Sequence, residues 1–236
     1  MPQYDDLSVE DLGGGYKVVI SKEHRFGTDA FLLADFAAPR HKDFCCDLCS
    51  GNGIVALLML KNHLPAEVTA VEIQKKAYDL AAMSKELSGA DRLSPVCADL
   101  REWRSERALD LITCNPPYKR GGTGAKSADS AQALARHEIE CGIQDVCEAA
   151  KRSLKFGGRL CLCNRPERLA DCISAMRSCG IEPKRLRTVH KNADSPAWLI
   201  LLEGRLGGTG FMKIESPLLV MEGEEYSREM KRIYGL

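Results

Sequence analysis

Short apolar runs alternate with longer stretches of helical periodicity over the part of the chain that follows residue 40. Each short run ends near glycine, serine, asparagine or an acidic residue, which is typical of buried strands in a parallel sheet. The runs predict seven strands, at 44–48, 68–72, 93–97, 109–114, 159–163, 184–189 and 198–203.

The stretches between these strands have the spacing of helices. They predict helices at 54–62, 75–87, 135–154 and 167–179. Strands and helices that alternate in this way predict an α/β fold, a doubly wound and Rossmann-like sheet that carries helices on both faces.

Two connections depart from this alternation. Residues 190–196, before the seventh strand, are too few for a crossover helix, so we expect the last two strands to pair in antiparallel. Residues 119–133 are rich in glycine, serine, alanine and lysine and have no apolar period. Such a segment is typical of a mobile lid or a disordered linker.

The first 40 residues follow a different pattern. The strand-like run Tyr16–Ile20 follows the turn-forming Gly13–Gly15, and a helical run begins at Thr28. We therefore expect residues 1–40 to form a small hairpin and a helix, packed on a main domain of residues 41–236.

The composition bears on whether the protein binds nucleic acid or spans a membrane. Apolar residues make up 44% and charged residues 28% of the chain, an ordinary balance for a globular protein with a buried core. Basic and acidic residues both number 33, which argues against a uniformly basic surface but allows a local basic patch. No apolar run approaches the roughly 20 residues that span a membrane, and the polar first residues do not resemble a secretory signal.

The 11 cysteines indicate a reducing cytoplasm, where free thiols behave as small buried apolar groups. Those in apolar runs are Cys45, Cys46, Cys97, Cys114, Cys161 and Cys163. Cys46 and Cys49 have the spacing of a zinc or redox pair, but no second pair at matching spacing accompanies them, so no metal is predicted. We expect the thiols of Cys161 and Cys163 to face opposite sides of their strand.

A glycine turn and two later acids predict a nucleoside site. The turn runs from Asp47, at the end of the first strand, through Gly51 to Gly53, and it matches neither a three-glycine dinucleotide motif nor a phosphate-binding loop. Glu72 and Asp99 close the second strand and follow the third. Each acid alone is more readily explained as a helix cap. Together they lie at the edge where open α/β sheets bind ligands, with Glu72 suited to ribose hydroxyls and Asp99 to an adenine amine.

The tetrapeptide Asn115-Pro116-Pro117-Tyr118 follows the fourth strand. Two prolines can simply stop a strand. The tetrapeptide also suits an aromatic amine, whose lone pair is delocalised into its ring. The Asn115 side-chain oxygen and the Pro116 carbonyl can each accept one amine hydrogen, on a backbone that proline restricts. Tyr118 can stack on a planar substrate. These residues therefore predict a site for a planar amino nitrogen.

In this order the motifs resemble those of the class I S-adenosylmethionine-dependent methyltransferases. The segments Phe26–Leu33, Ala135–Glu138, Arg185–His190 and Glu225–Gly235 further resemble bacterial tRNA (adenine-N6)-methyltransferases, which act on a valine tRNA beside the anticodon. The resemblance runs from about residue 13 to the C-terminus. The Asn-Pro-Pro-Tyr core is shared by enzymes that methylate amino nitrogens in RNA, DNA and protein, so it is specific for the nitrogen and not for the substrate.

The resemblance implies roles for individual residues. Catalysis at the amine is implied for Asn115, Pro116, Pro117 and Tyr118. Binding of S-adenosylmethionine is implied for Gly27, Thr28, Asp29, Asp47, Cys49, Gly51, Gly53, Glu72, Ile73, Asp99, Leu100 and Asn115. Basic candidates for contact with tRNA near the expected mouth of the site are Lys119, Arg120, Arg136, His137, Arg185, Arg187 and Lys191. Such clusters are more often solvated faces, but phosphate contacts would make binding weaken steeply with salt.

Alternative functions stay open at this point. A protein glutamine methyltransferase typically carries a sizeable helical domain ahead of the catalytic domain, and only a hairpin and a helix are predicted here. An amino-methyltransferase that acts on DNA would need a larger recognition region, and ribosomal RNA is a further possible substrate. A noncatalytic RNA-binding module that keeps the fold is disfavoured by the intact Asn115 and Tyr118. The sequence predicts no oligomeric state.

Overall fold

The seven predicted strands lie side by side in one twisted sheet. The structure, a computed structural model, describes residues 6–116 and 141–236. Its longer strands are β1 (Ser8–Gly13), β2 (Tyr16–Ile20), β3 (Phe44–Leu48), β4 (Glu67–Glu72), β5 (Leu93–Cys97), β6 (Leu109–Cys114), β7 (Leu154–Asn164), β8 (Ile181–His190) and β9 (Ala197–Leu206). Four strands of two residues follow, namely β10 (Lys213–Ile214), β11 (Leu218–Leu219), β12 (Met221–Glu222) and β13 (Glu225–Tyr226).

Six α-helices accompany the strands in the described residues. They are α1 (Thr28–Ala37), α2 (Ile54–His63), α3 (Lys75–Ser88), α4 (Ile143–Ser153), α5 (Leu169–Ser178) and α6 (Arg228–Tyr234). The predicted helices are confirmed with small shifts of their ends. Of the helix predicted at 135–154, residues 135–140 lie outside the described residues, and the described helix is α4. The predicted lid at 119–133 lies outside them too.

The strand order is β8-β9-β7-β6-β3-β4-β5. β3 pairs in parallel with both β4 and β6, so it occupies the centre of the sheet. β9 pairs in antiparallel with both β7 and β8, which confirms the prediction for the last strand. The short strands β10 and β11 extend the sheet beyond β8.

Helices cover both faces of the sheet. One apolar cluster joins α1 and α2 to one face, through buried residues such as Leu33 and Leu57. A second joins α4 and α5 to the other face, through residues such as Val146 and Met176. These two layers confirm the doubly wound architecture. None of the described helices is both long enough and apolar enough to cross a membrane.

Two expectations about cysteines are wrong. Cys161 and Cys163 share one apolar cluster, while Leu160 and Leu162 belong to the other. Side chains alternate along a strand with a period of two, so residues two apart face the same side and not opposite sides. Cys97 is exposed, because it ends β5 at the edge of the sheet.

The N-terminal hairpin is attached to α3 by side-chain hydroxyls. The Val19 amide donates to Ser84 Oγ at 2.8 Å, and the Lys17 amide donates to Ser88 Oγ at 2.8 Å. Val18 lies in the same apolar cluster as α1 and α2. The hairpin therefore packs on the main sheet assembly, while the division at residue 40 stays a prediction.

The C-terminal helix α6 returns to α1, far away in sequence. The Thr28 and Tyr234 hydroxyls lie 2.8 Å apart, and the Tyr234 ring meets Phe31 edge to face at 5.0 Å. The Ser227 hydroxyl caps the helix by accepting from the Met230 amide at 3.1 Å. The tail, for which the sequence predicted no element, is thus part of the core that supports α1.

Replacement of Met230 by alanine tests this role of the tail. Met230 is fully buried beside α1 and α2, so Met230→Ala should lower the free energy of unfolding by about 2–4 kcal/mol through a cavity and lost burial. The exposed Arg228→Ala, in the same helix, should change it by less than about 0.5 kcal/mol. Urea unfolding measures both; equal effects of the two variants would contradict a packed tail.

Candidate active site

Three of the predicted site residues, Asp47, Glu72 and Asn115, lie at one edge of the sheet. β3, β4 and β6 are parallel neighbours, so their carboxyl ends lie together. Asp47 is the penultimate residue of β3, Glu72 ends β4 and Asn115 directly follows β6. The edge therefore collects carboxylate and amide groups from separate strands, as the sequence predicted.

The glycine turn joins β3 to α2 through backbone in the left-handed region. Cys49, Gly51 and Gly53 all have positive φ, of 56°, 55° and 82°. A Cβ on Gly53 would approach Ala81 Cβ to 3.2 Å, so this glycine allows the turn to pack against α3. A Cβ on Gly51 would meet open space, so the backbone there is accessible to a ligand.

Of two polar side chains in the turn, Asn52 is hydrogen-bonded and Ser50 has no partner among the described residues. The Asn52 amide donates to the Val19 carbonyl at 3.3 Å and so links the turn to the N-terminal hairpin. The Ser50 hydroxyl is buried and has no hydrogen-bond partner among the described residues. An orphaned hydroxyl in a turn of this kind is a candidate contact for a bound polar group.

Glu72 fixes the turn from the next strand. Its Oε2 accepts from the Gly51 amide at 2.8 Å, and its Oε1 accepts from the Gln74 amide at 2.9 Å. Both carboxylate oxygens are therefore oriented by the backbone, and their remaining lone pairs can still accept from hydroxyls. Ile73, between Glu72 and Gln74, has 37% of its surface exposed, so it can make apolar contact with a ligand at this edge of the sheet.

Asp47 is buried beneath the turn. The Thr113 hydroxyl donates to its Oδ1 at 2.7 Å, across the β3–β6 pair. Burial raises the pKa of Asp47 to about 7, against the opposing effect of the Thr113 hydrogen bond and with a smaller contribution from Glu72. A buried carboxyl of this kind changes charge near neutral pH and responds to a nearby cation.

Asp99 holds its own loop together. The Arg101 guanidinium donates to both carboxylate oxygens, and this interaction lowers the pKa of Asp99. The Trp103 amide donates to the Asp99 carbonyl at 2.8 Å. The adjacent Leu100 is buried in the core. Asp99, two residues after β5, is therefore held in its ionised form and oriented by Arg101.

The Asn115 side chain lies between the start of α1 and the end of β7. Its Nδ2 donates to Asp29 Oδ2 at 3.0 Å, and its Oδ1 accepts from the Cys163 thiol at 3.1 Å. Pro116, which follows, is buried. The predicted catalytic residues Pro117 and Tyr118 lie outside the described residues.

The segment of Gly27, Thr28 and Asp29 reaches the same edge. Asp29 Oδ1 accepts from the Ala30 amide at 3.0 Å, at the first turn of α1. A Cβ on Gly27 would lie 2.9 Å from that oxygen, so a side chain there would displace the carboxylate. The structure thus brings a segment before the first strand of the main domain to Asn115.

Of the candidates for RNA contact, the described residues include two arginines in ion pairs and one exposed lysine. Arg187 forms a bidentate ion pair with Glu229, with both contacts at 2.7 Å. Arg185 donates to Glu203 at 3.1 Å and lies over the Phe36 ring. Both guanidinium groups therefore stabilise the fold, whereas Lys191 is exposed. Lys119, Arg120, Arg136 and His137 lie outside the described residues.

Sequence reasoning missed three side chains that shape the site: Cys163, Thr113 and Tyr234. Thr113 is a polar residue within an apolar strand, and Cys163 is the penultimate residue of β7, so strand position alone could have suggested both. Tyr234 gave no local signal, because its role depends on contact with a segment about 200 residues earlier. Among the described residues no cluster of three or more His, Cys, Asp or Glu side chains could hold a metal ion.

The buried Asp47 predicts a pH dependence of stability. Its pKa in the folded state, about 7, exceeds its ordinary value of 3.8, so the folded state binds the proton more tightly. The stabilisation that this proton provides is complete at low pH and is lost as the pH rises towards 7. Asp47→Asn, which does not titrate, should therefore gain stability relative to the wild type as the pH rises from about 4 to about 7. Urea unfolding without added ligand measures this; an unchanged difference across that range would contradict it.

Comparison with known proteins agrees with this geometry. The family model for the methyltransferase small domain matches residues 16–173. A tRNA1(Val) (adenine(37)-N6)-methyltransferase of Vibrio cholerae is 27% identical, with 85% of this chain and 82% of that protein covered. A protein of the same description from Parabacteroides distasonis is 28% identical, with 89% and 88% covered.

Solved structures share the fold. A predicted O-methyltransferase from Agrobacterium tumefaciens has a TM-score of 0.71 at 20% identity, over 88% of this chain and 96% of that one. A tRNA m1G37 methyltransferase from M. jannaschii has a TM-score of 0.58 at 14% identity, over 89% and 59%. With its family model matched over more than half of its length and its strand-edge motifs in place, the chain belongs to the methyltransferase small domain family.

Proposed function

We propose that this protein transfers a methyl group from S-adenosylmethionine to the exocyclic N6 amine of an adenine in tRNA, near the anticodon of a valine tRNA. The observation that carries the proposal is the position of Asn115, whose oriented amide lies at the same sheet edge as Asp47 and Glu72. The relatives described as tRNA1(Val) (adenine(37)-N6)-methyltransferases support the choice of substrate. A cytoplasmic location follows from a tRNA substrate.

The residues at the edge fit the cofactor. S-adenosylmethionine supplies an electrophilic methyl group on a sulfonium, and it carries ribose hydroxyls, an adenine and an ammonium group. Glu72 presents acceptor oxygens to hydroxyls, and Gly51 leaves backbone open beside them. The orphaned Ser50 hydroxyl offers a further polar contact, and a cationic group of the cofactor would favour the ionised form of the buried Asp47.

Asn115 acts on the amine. Its Oδ1 accepts a hydrogen of the adenine amine, the Pro116 carbonyl accepts the other, and the nitrogen lone pair is thereby directed at the methyl group. Positive charge develops on the nitrogen during transfer, so fixed acceptors favour the transition state over the ground state. Tyr118 is proposed to stack on the adenine, as aromatic side chains do with extruded bases.

Contact with tRNA is proposed for the exposed Lys191 and for the basic residues 119, 120, 136 and 137, which lie outside the described residues. Arg185 and Arg187 are weaker candidates, because Glu203 and Glu229 already neutralise their charge. Their removal would change stability together with any effect on binding.

Transfer of a labelled methyl group tests the substrate. With labelled S-adenosylmethionine and unmodified total tRNA, label should appear in N6-methyladenine of a valine tRNA and rise with enzyme concentration. Bacterial release factor and ribosomal RNA, supplied in parallel, should remain unlabelled. Label in glutamine, or at a ring nitrogen or carbon of a base, would reject the proposal.

Replacement of Asn115 separates chemistry from cofactor binding. Asn115→Ala should lower the rate of transfer at saturating substrate by at least about 10²-fold, because the amine loses a fixed acceptor. Binding of S-adenosylmethionine, measured by calorimetry, should change by less than about fivefold. The exposed Asn62→Ala is the matched control and should keep full activity. Near-normal turnover by Asn115→Ala would sink the mechanism.

A further inference from the structure

We propose that Asp29 is a positioning residue that fixes which end of the Asn115 amide faces the substrate amine. The inference rests on the proposed function, in which that amine is the methyl acceptor. Its basis is the placement of Asp29 and Cys163 on the two ends of one amide group.

An asparagine amide has two ends of similar size and opposite chemistry. The oxygen accepts hydrogen bonds, and the nitrogen only donates them. An adenine amine that is to be methylated needs an acceptor beside each hydrogen. If the Asn115 amide turned by 180°, its NH₂ group would meet the NH₂ group of the substrate, and the lone pair would no longer be aimed. The orientation of this amide therefore decides whether the site is active.

Asp29 selects one orientation through electrostatics. Its carboxylate only accepts, and its Oδ2 lies 3.0 Å from Asn115 Nδ2. The turned amide would place the carbonyl oxygen against this carboxylate, a repulsive contact in place of a charge-assisted hydrogen bond. The Asn115 oxygen is thereby held on the side away from Asp29.

Cys163 selects the same orientation from the other side. Its thiol is fully buried and donates to Asn115 Oδ1 at 3.1 Å. A thiol is a weak donor, so it adds less than the carboxylate does. Both neighbours nevertheless favour the same state of the amide. In the turned state the Asp29 carboxylate would face an oxygen, and the Cys163 sulfur could serve only as a weak acceptor.

Asp29 is itself held firmly enough to act as a reference. Its Oδ1 accepts from the Ala30 amide, while Gly27 leaves the space that the carboxylate occupies. The neighbouring Thr28 is bound to Tyr234 of the C-terminal helix. These contacts fix the start of α1. The hydrogen bond from Asn115 to Asp29 therefore orients the Asn115 amide relative to α1.

Exchange of the two residues tests the proposal. Asp29→Asn replaces the acceptor-only carboxylate by an amide that can accept or donate, so that only the weak Cys163 donor still favours one orientation of Asn115. Asn115→Asp places two carboxylates in contact. Each single variant should lower kcat at least about tenfold. In the double variant Asp29→Asn/Asn115→Asp, the amide at position 29 donates to the carboxylate at position 115, which still accepts from the amine. The double variant should recover at least about fivefold over the better single variant.

The exchange also distinguishes positioning from a direct role of Asp29 in holding the cofactor. If Asp29 acted only on the cofactor, Asp29→Asn would weaken S-adenosylmethionine binding in calorimetry and the double variant would be no better than either single one. That result would overturn the proposal. Asp35→Asn, in the same helix and on an exposed ion pair with Arg232, is the matched control and should keep kcat.

A spectroscopic readout separates failure of this inference from failure of the proposed function. The side-chain amide resonances of Asn115, assigned by their loss in Asn115→Ala, should shift in Asp29→Asn and stay unchanged in Asp35→Asn. Shifted resonances in an enzyme that methylates no adenine would reject the proposed function and uphold the placement of the amide. Unshifted resonances would overturn the positioning role itself.

Discussion

The parallel pairing of β3 with β4 on one side and β6 on the other is the constraint on which the site depends. Register within these pairs sets Leu48 beside Val71 and beside Cys114. The residues that follow these strands must then emerge together at the carboxyl edge. Because β3 is central, the glycine turn after it lies between Glu72 at the end of β4 and Asn115 directly after β6. A different strand order would separate Asp47 and Glu72 from Asn115.

The edge also concentrates polar groups that a stable core would avoid. Asp47 and Thr113 are fully buried and satisfy one another, while Glu72 is satisfied by two backbone amides. Burial of the Asp47 carboxyl opposes its ionisation, so the edge carries an electrostatic strain before any ligand binds. A group with positive charge near Asp47 would favour its ionised form, and the Glu72 oxygens can accept from hydroxyls.

Support for the site comes from both ends of the chain. The hairpin is joined to α3 and to the glycine turn, and α6 is packed against the start of α1. Asp29 and Asn115 are thereby positioned by segments that lie outside the alternating strands and helices. The Phe26–Leu33 and Glu225–Gly235 segments therefore meet in space, although about 200 residues separate them.

The sequence by itself determined the seven strands, the doubly wound class, the glycine turn and the candidate residues Asp47, Glu72 and Asn115. Local patterns predict these features, because strand burial, turn formation and the restriction of the backbone by proline depend on residues close in sequence. Only the tertiary structure decided that Asp29 and Cys163 hold the Asn115 amide, that Arg187 is neutralised by Glu229, and that α6 supports α1. These are contacts between residues far apart in the chain. A local pattern carries no information about which distant charge or thiol will face a given side chain, because that follows from how the packed layers bring the strand ends together.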